Sequence, residues 1–228
     1  MFVIRRRLSI VVAMLGLLSL LAGSASAITL GMVDDFQAGT TAGWGGGTPT
    51  TNVADSGPGG VGDNALRVAA TGGRVVIVNT AQWTGNFTAA GVTNLLMDVR
   101  NENDFPLALR IGFAQGALGS GGAGDTYVSA TAASVPSDGQ WHRVALSLAP
   151  GSFVPHTANS NPTPDAGAAL AAVSHFRILH NPAANFLGAN GPATFYVDNI
   201  RAVPEPTAWA LAAGGLGLLE VRRRRARA

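Results

Sequence analysis

The chain has 228 residues, a net charge of +2 at pH 7, fifteen arginines, no lysine and no cysteine. Eight of the arginines lie in the two terminal segments, whereas residues 28–202 hold seven arginines against eleven acidic residues, about −4 in net charge. The composition excludes disulfides and thiolate metal sites, and it gives no support for nucleic-acid binding, which requires a basic patch on the folded domain.

The first predicted element is a secretory signal peptide at residues 1–27. Three arginines at residues 5–7 precede an apolar run at residues 8–22, and Ala25-Ser26-Ala27 forms a small-residue cleavage site. Cleavage after Ala27 leaves Ile28 as the new N-terminus and predicts an exported protein. An uncleaved membrane anchor is the alternative.

Residues 28–202 are predicted to form one all-β domain, long enough to bury a single core. Residues 107–113 alternate between large apolar and small or polar side chains, which is typical of a strand with one buried face. Gly- and Pro-rich connections separate the strands, and a short helix is predicted at residues 165–173. About nine strands, connected by loops, predict a β-sandwich. The candidate strands are residues 29–34, 65–70, 74–79, 95–100, 107–113, 126–130, 141–148, 175–180 and 194–201.

Catalysis finds little support in the sequence. The four histidines are scattered, and no serine lies in a G-x-S-x-G nucleophile elbow. Glu102 and Asp104 share a predicted turn, which we interpret as solvated, because a glycosidase needs its carboxyl groups across a cleft. We therefore predict that the domain is not an enzyme.

The C-terminal segment at residues 203–228 has three parts in a fixed order. Pro204-Glu205-Pro206 is a rigid break, residues 207–219 form an apolar run, and a basic cluster ends the chain. At about 1.5 Å per residue the run makes a short membrane span, with the cationic end on the cytoplasmic side. The basic cluster consists of Arg222, Arg223, Arg224, Arg225 and Arg227.

This order resembles the PEP-CTERM sorting signal of Gram-negative bacteria, with Pro204, Glu205 and Pro206 as its core motif. Glu220 departs from the family pattern, which has a small or apolar residue there. The resemblance implies processing by the membrane protease exosortase and transient anchoring in the inner membrane. It also implies a final location in the cell envelope or extracellular matrix. A frayed basic tail is the alternative.

Four motifs within residues 30–202 together resemble jelly-roll carbohydrate-binding modules of the galactose-binding-like type. They are Val33-Asp34-Asp35-Phe36 followed by Gly43-Trp44, then Asn64-Ala65-Leu66-Arg67-Val68, then Asp138-Gly139-Gln140-Trp141, and finally Phe195-Tyr196-Val197-Asp198-Asn199-Ile200. The resemblance implies a jelly-roll β-sandwich and, in many members, a structural calcium ion.

The implied calcium has three candidate ligands, Asp34, Asp35 and Asp198. Ca²⁺ takes six to eight oxygen ligands, many from carboxylates. The first and last strands of a jelly roll can lie side by side, which would bring Asp34 or Asp35 close to Asp198. Exposed strand-end residues that cap turns are the alternative interpretation.

Sugar binding would require an exposed aromatic ring. We interpret Trp44 and Trp141 as core residues, because they lie in motifs that resemble the family's core packing. Trp83 and Tyr127 remain as platform candidates, with ordinary packed aromatics as the alternative. The resulting hypothesis is an exported polysaccharide-binding protein, and the alternative is a structural matrix protein without specific sugar binding.

Overall fold

The computed structural model describes residues 27–116, 125–156 and 165–204. The predicted signal peptide up to residue 26 and the tail beyond Pro204 lie outside these ranges, so the predicted sorting helix and arginine cluster do too. Within the described residues, no helix is both long and apolar enough to cross a bilayer. The strands are β1 (Val33–Asp34), β2 (Thr50–Val53), β3 (Ala65–Ala70), β4 (Val76–Asn79), β5 (Asn94–Asn101), β6 (Leu107–Gln115), β7 (Asp125–Ser129), β8 (Ala133–Val135), β9 (Trp141–Ser147), β10 (Phe153–Pro155), β11 (Val173–His180) and β12 (Ala193–Val203).

The all-β prediction is confirmed, and each of the nine predicted strands has a counterpart. The three further strands, β2, β8 and β10, have four, three and three residues, too few for period-two alternation to be visible. The predicted helix forms as α1 (Ala166–Leu170), and Asp165 caps it by accepting hydrogen bonds from the backbone N–H groups of Gly167 and Ala168. The helix is shorter than predicted because β11 begins at Val173.

The strands form two antiparallel sheets. Sheet A has the order β2-β3-β12-β5-β9, with β1 paired to the second half of β12. Sheet B has the order β10-β7-β6-β11-β4, with β8 paired to β6. The final strand β12 therefore lies in the centre of sheet A, between β3 and β5.

The main core lies between the two sheets. Alternate residues of each strand point inward, such as Ile111 and Phe113 of β6 and Phe176 and Ile178 of β11, which are all fully buried. Burial of this apolar surface is the main stabilising term, at roughly 25 cal/mol per Å². The sandwich therefore has a well-filled interior that holds both sheets face to face.

A second, smaller cluster lies on the outer face of sheet B. Residues 181–191, between β11 and β12, pack Phe186 and Leu187 against Val76, Ala114 and other outward residues. Phe186 rests directly on Gly112, where a Cβ atom would lie only 2.9 Å from the ring. The absence of a side chain at position 112 thus lets residues 181–191 pack closely on this face.

Candidate functional site

The predicted sugar platform is wrong for both Trp83 and Tyr127, because neither ring is exposed. Trp83 is 0% exposed and Tyr127 is 1% exposed. Tyr127 pairs with Phe113 across β6 and β7, and the two rings stack inside the sandwich with centroids 5.3 Å apart. The ring of Trp83 stacks on Phe176 at 5.6 Å. Both residues are core aromatics.

Asp34 lies in the core rather than in a cation site. Its Oδ2 atom accepts hydrogen bonds from the indole N–H of Trp44 and from that of Trp83, each at 2.7 Å. Buried indole N–H groups need an acceptor, and an ionised carboxylate is a strong one. This corrects the prediction that Asp34 is a calcium ligand. Trp44, which is 1% exposed, is a core residue as predicted.

Trp141, in contrast, is not a core residue. It is half-buried on the outer face of sheet A, where it faces Arg100 on the neighbouring strand. The guanidinium of Arg100 lies 5.3 Å from the Trp141 ring centroid and 4.2 Å from that of Tyr196. Side chains alternate between the two faces of a strand. Val144 and Leu146 of β9 point inward, so Trp141, an odd number of positions away, points to the outer face of sheet A.

Asp198 is the most deeply buried carboxylate among the described residues, at 0% exposure. It lies directly opposite Asp98 on β5, and the Nδ2 group of Asn199 donates to both carboxylates, at 3.0 and 3.1 Å. The pKa of Asp198 is raised to about 7, mainly by burial and also by the nearby carboxylates of Asp63, Asp98 and Asp35, while the hydrogen bond from the Asn199 N–H acts in the opposite direction.

The first strand brings Asp35 rather than Asp34 towards this carboxylate. Gln37 links Asp35 to Asp63, because its N–H donates to the Oδ1 atom of Asp35 and its Nε2 group donates to the Oδ1 atom of Asp63 at 2.6 Å. Asp98 has a cationic partner in Arg143, at 3.0 Å, whereas the hydrogen-bond donors to Asp198 among the described residues belong to Asn199. The oxygen-rich donor set fits Ca²⁺ in kind. In the described ranges, however, no three acidic or histidine side chains are already close enough together to hold a metal ion.

A cleft of about 370 Å³ opens on the outer face of sheet B, next to residues 181–191. Its floor is formed by outward residues of β4 and β11, and its rim by glycine-rich loops. The lining residues are Gly46, Gly47, Thr48, Pro49, Gly72, Gly73, Arg74, Val76, Val78, Arg177 and Leu187.

Arg177 is the distinctive residue of this cleft. Its guanidinium stacks on Phe186 at 4.0 Å, and its Nη1 group donates to the Phe186 carbonyl at 3.3 Å. Its Nε atom is buried without a hydrogen-bond partner among the described residues. The pKa of Arg177 is lowered to about 10, mainly by burial and also by the positive charge of Arg74. Arg177 was not predictable from the sequence, because a single arginine in an alternating strand indicates an exposed position.

Two histidines extend this basic surface. Burial and the charge of Arg177 lower the pKa of both His156 and His175. The Oγ atom of Ser174 lies 2.9 Å from His175 Nδ1, but also 2.7 Å from the carbonyl oxygen of Gly116, which only the hydroxyl proton can satisfy. This contact therefore does not activate Ser174 as a nucleophile.

Arg110 anchors the segment beside the cleft. It is 5% exposed, and its guanidinium donates to carbonyl oxygens on both sides of β6. Two of these acceptors, Asn181 and Pro182, begin the segment that carries Phe186, at 2.8 and 2.9 Å. The other two are Ser129, the last residue of β7, and Ala130, which follows it. Arg110 thus fixes one wall of the cleft without using a carboxylate.

No family model matches the chain, and no curated protein matches it. Several solved structures do match the chain. The solution structure of CtCBM11 is 18% identical over 77% of this chain and 96% of its own, with a TM-score of 0.52. A family 11 carbohydrate-binding module from Clostridium thermocellum, in complex with a β-1,3-1,4-mixed-linked tetrasaccharide, is 18% identical over 78% of this chain and 99% of its own, with a TM-score of 0.49. An exo-β-agarase is 13% identical over 77% of this chain but only 25% of its own, with a TM-score of 0.50. The chain therefore has a jelly-roll β-sandwich fold like that of CtCBM11.

Proposed function

We propose that residues 28–202 form a non-catalytic polysaccharide-binding module whose binding surface is the outer face of sheet B. The observation that carries this proposal is the cleft of about 370 Å³ on a sandwich of this fold. Ligand sites in proteins are typically clefts of roughly this size with a few well-placed polar groups. Arg74, Arg177 and Thr48 supply such groups, and Val78 and Leu187 supply apolar contact area.

Retention of the purified chain in polysaccharide-containing gels tests the proposal. Gly72 lines the cleft in an ordinary backbone conformation with open space where a Cβ atom would be, so Gly72→Leu should narrow the cleft without strain. Gly151 has the same open surroundings away from the cleft, and Gly151→Leu is the matched control. Retention should fall for Gly72→Leu alone. Equal retention of both variants would show that the cleft is not the binding surface.

A structural role in the matrix, without specific sugar binding, is the second candidate function. The burial of Trp83 and Tyr127 favours it, because both aromatic residues that the sequence offered as a platform are used for packing. The two candidates differ in one measurable property. A structural protein should not be retained by any polysaccharide-containing gel.

We further propose that the chain is exported and sorted through residues 203–228, with exosortase as its processing partner. The support is the order of Pro204-Glu205-Pro206, the apolar run and the arginine cluster, together with the predicted signal peptide. The location that follows is the cell envelope or extracellular matrix of a Gram-negative bacterium, after transient anchoring in the inner membrane.

Finally, we propose that Ca²⁺ binds between Asp198 and the turn that follows β1. Asp35 and Asp198 would hold the ion, and Asp63 lies beside them through Gln37. A bound divalent cation would neutralise the carboxylates that raise the pKa of Asp198, and it would join the first strand to the last. This is a stabilising role and not a catalytic one.

A further inference from the structure

The outer face of sheet B carries a cluster of basic side chains in a domain whose net charge is negative. Arg74 and Arg177 line the cleft, and His156 and His175 lie close enough to Arg177 for its charge to lower their pKa. The acidic residues exceed the arginines by four between residues 28 and 202. Because the pKa of both histidines is lowered, the positive charge of this face at pH 7 comes from Arg74 and Arg177.

The two arginines of this cleft, Arg74 and Arg177, form no ion pair with an acidic residue within the described ranges. The ion pairs found there are Arg100–Glu102, His142–Asp138 and Arg143–Asp98, and none involves the cleft. Arg177 instead has an aromatic ring, one carbonyl contact and a buried Nε atom without an acceptor. Buried cations are ordinarily paired, because an unpaired buried charge is costly. A negatively charged group of a ligand would supply the partner that the half-buried Arg177 lacks.

Phe186 makes this arrangement suitable for recognition. Stacking on its ring at 4.0 Å fixes the plane of the Arg177 guanidinium, which can then present its donors to an anion with little loss of freedom. Arg74 lies on the exposed rim of the same cleft and can approach an anion from the solvent side. Planar guanidinium groups bind oxyanions through paired hydrogen bonds.

We propose that the cleft binds an anionic polysaccharide, with a carboxylate or sulfate group of the sugar chain held between Arg74 and Arg177. This inference rests on the proposed function and specifies its ligand class. The apolar residues Val78 and Leu187 would contact the sugar ring beside its charged group.

Affinity electrophoresis of the full chain tests this, with polygalacturonate, dextran sulfate, neutral dextran and mixed-linked β-glucan in parallel gels, and single-stranded DNA as a competitor. Binding should be strongest to polygalacturonate or dextran sulfate, and these two gels identify the charged group. Arg74→Gln should weaken it by about tenfold, as expected for loss of one charge-assisted hydrogen bond. Arg201, on the outer face of sheet A, is exposed, and Arg201→Gln is the matched control that should bind normally.

A second pair of variants avoids any change to the arginines. Gly72→Glu places a competing carboxylate at the cleft rim, and Gly72→Gln places a neutral group of the same size there. The glutamate variant should lose more anionic-polysaccharide binding than the glutamine variant, with unchanged thermal unfolding in both.

The outcomes separate the two proposals. Absence of binding to every polysaccharide overturns the proposed function itself. Binding to neutral dextran or β-glucan as tight as to the anionic polymers overturns only the ligand class. Equal losses for Arg74→Gln and Arg201→Gln, or full displacement by single-stranded DNA, would show general attraction of polyanions and would also overturn it.

Discussion

Asp34 and Trp83 are 49 positions apart in the chain and are joined by a 2.7 Å hydrogen bond from the indole N–H to the carboxylate Oδ2 atom. The same oxygen accepts the indole N–H of Trp44, also at 2.7 Å. One carboxylate therefore connects β1 to two loop tryptophans that would otherwise bury unsatisfied donors.

Asp34→Ala should lower the free energy of unfolding by roughly 3–5 kcal/mol, because two buried donors lose a charged acceptor. Asp34→Asn keeps an acceptor oxygen and should cost less. Urea unfolding followed by tryptophan fluorescence measures both. Asp104 is exposed, and Asp104→Ala is the control that should change stability little. A loss for Asp34→Ala no larger than for this control would show that the shared carboxylate is unimportant.

Trp83 and Trp141 should respond differently to truncation. Trp83→Ala removes a fully buried ring and should cost about 3–5 kcal/mol. Trp141→Ala removes a half-buried ring on the outer face of sheet A, so its cost should be clearly smaller. Thermal unfolding of the two variants gives the comparison. Equal losses would contradict the outward position of Trp141.

Asp198 predicts a pH dependence that calcium should abolish. In chelator, its folded-state pKa of about 7 exceeds the ordinary value of 3.8, so the folded protein binds the proton more tightly. The contribution of this bound proton to the free energy of unfolding is complete below about pH 4 and is lost as the pH rises to about 7. Calcium at a hundredfold excess over its dissociation constant should add about 2.7 kcal/mol at neutral pH.

Asp198→Asn is the decisive variant for this calcium site. It cannot ionise, so in chelator it should lack the loss of stability between pH 4 and 7. It should also fail to gain stability from calcium. If the wild-type protein melts at the same temperature with calcium and with chelator, the proposed calcium site is contradicted.

His180 predicts the opposite pH dependence in the acid range. Its Nδ1 atom accepts the Ala108 N–H at 2.9 Å, which only the unprotonated nitrogen can do. Burial lowers the pKa of His180 below 6.5, so stability is complete above pH 6.5 and is lost as the pH falls through the folded-state pKa. His180→Asn should reduce the difference in urea midpoint between pH 7.5 and 5. His142→Asn, at a more exposed histidine, should alter this difference less.

If exosortase processes residues 203–228 as proposed, cleavage should depend on the motif Pro204-Glu205-Pro206. Glu205→Ala should leave unprocessed protein in the membrane while the apolar run is unchanged. Fractionation and immunoblotting of the producing cells measure this. Normal processing of the variant would contradict the motif-specific role and leave residues 203–228 as a generic hydrophobic anchor.

The strands were predictable because their signal is local. Alternation in residues 107–113 is visible without knowing what the strand packs against, and Asp165 before an alanine-rich stretch is enough to begin α1. Strands of three residues, such as β8 and β10, are defined by their partners. Their existence depends on pairing that the sequence does not display.

The site was less predictable because it depends on long-range register. Tyr127 follows a glycine-rich loop, which favours exposure, but its pairing with Phe113 places it inside. Trp141 lies in a motif that resembles core packing, yet the inward residues of β9 put it outside. Arg177 became a candidate only when Phe186, from a different segment, was found on its guanidinium.

The central position of β12 sets the order in which the domain can be completed. This strand holds the last described residues of the sandwich, and it fills the space between β3 and β5. Until it arrives, both neighbours expose unpaired edges that favour association with other chains. A chain threaded N-terminus first through a membrane would therefore close its sheet only after residue 203 has crossed. If the chain is exported as proposed, we expect molecules truncated before β12 to aggregate or be degraded rather than to form a smaller stable domain.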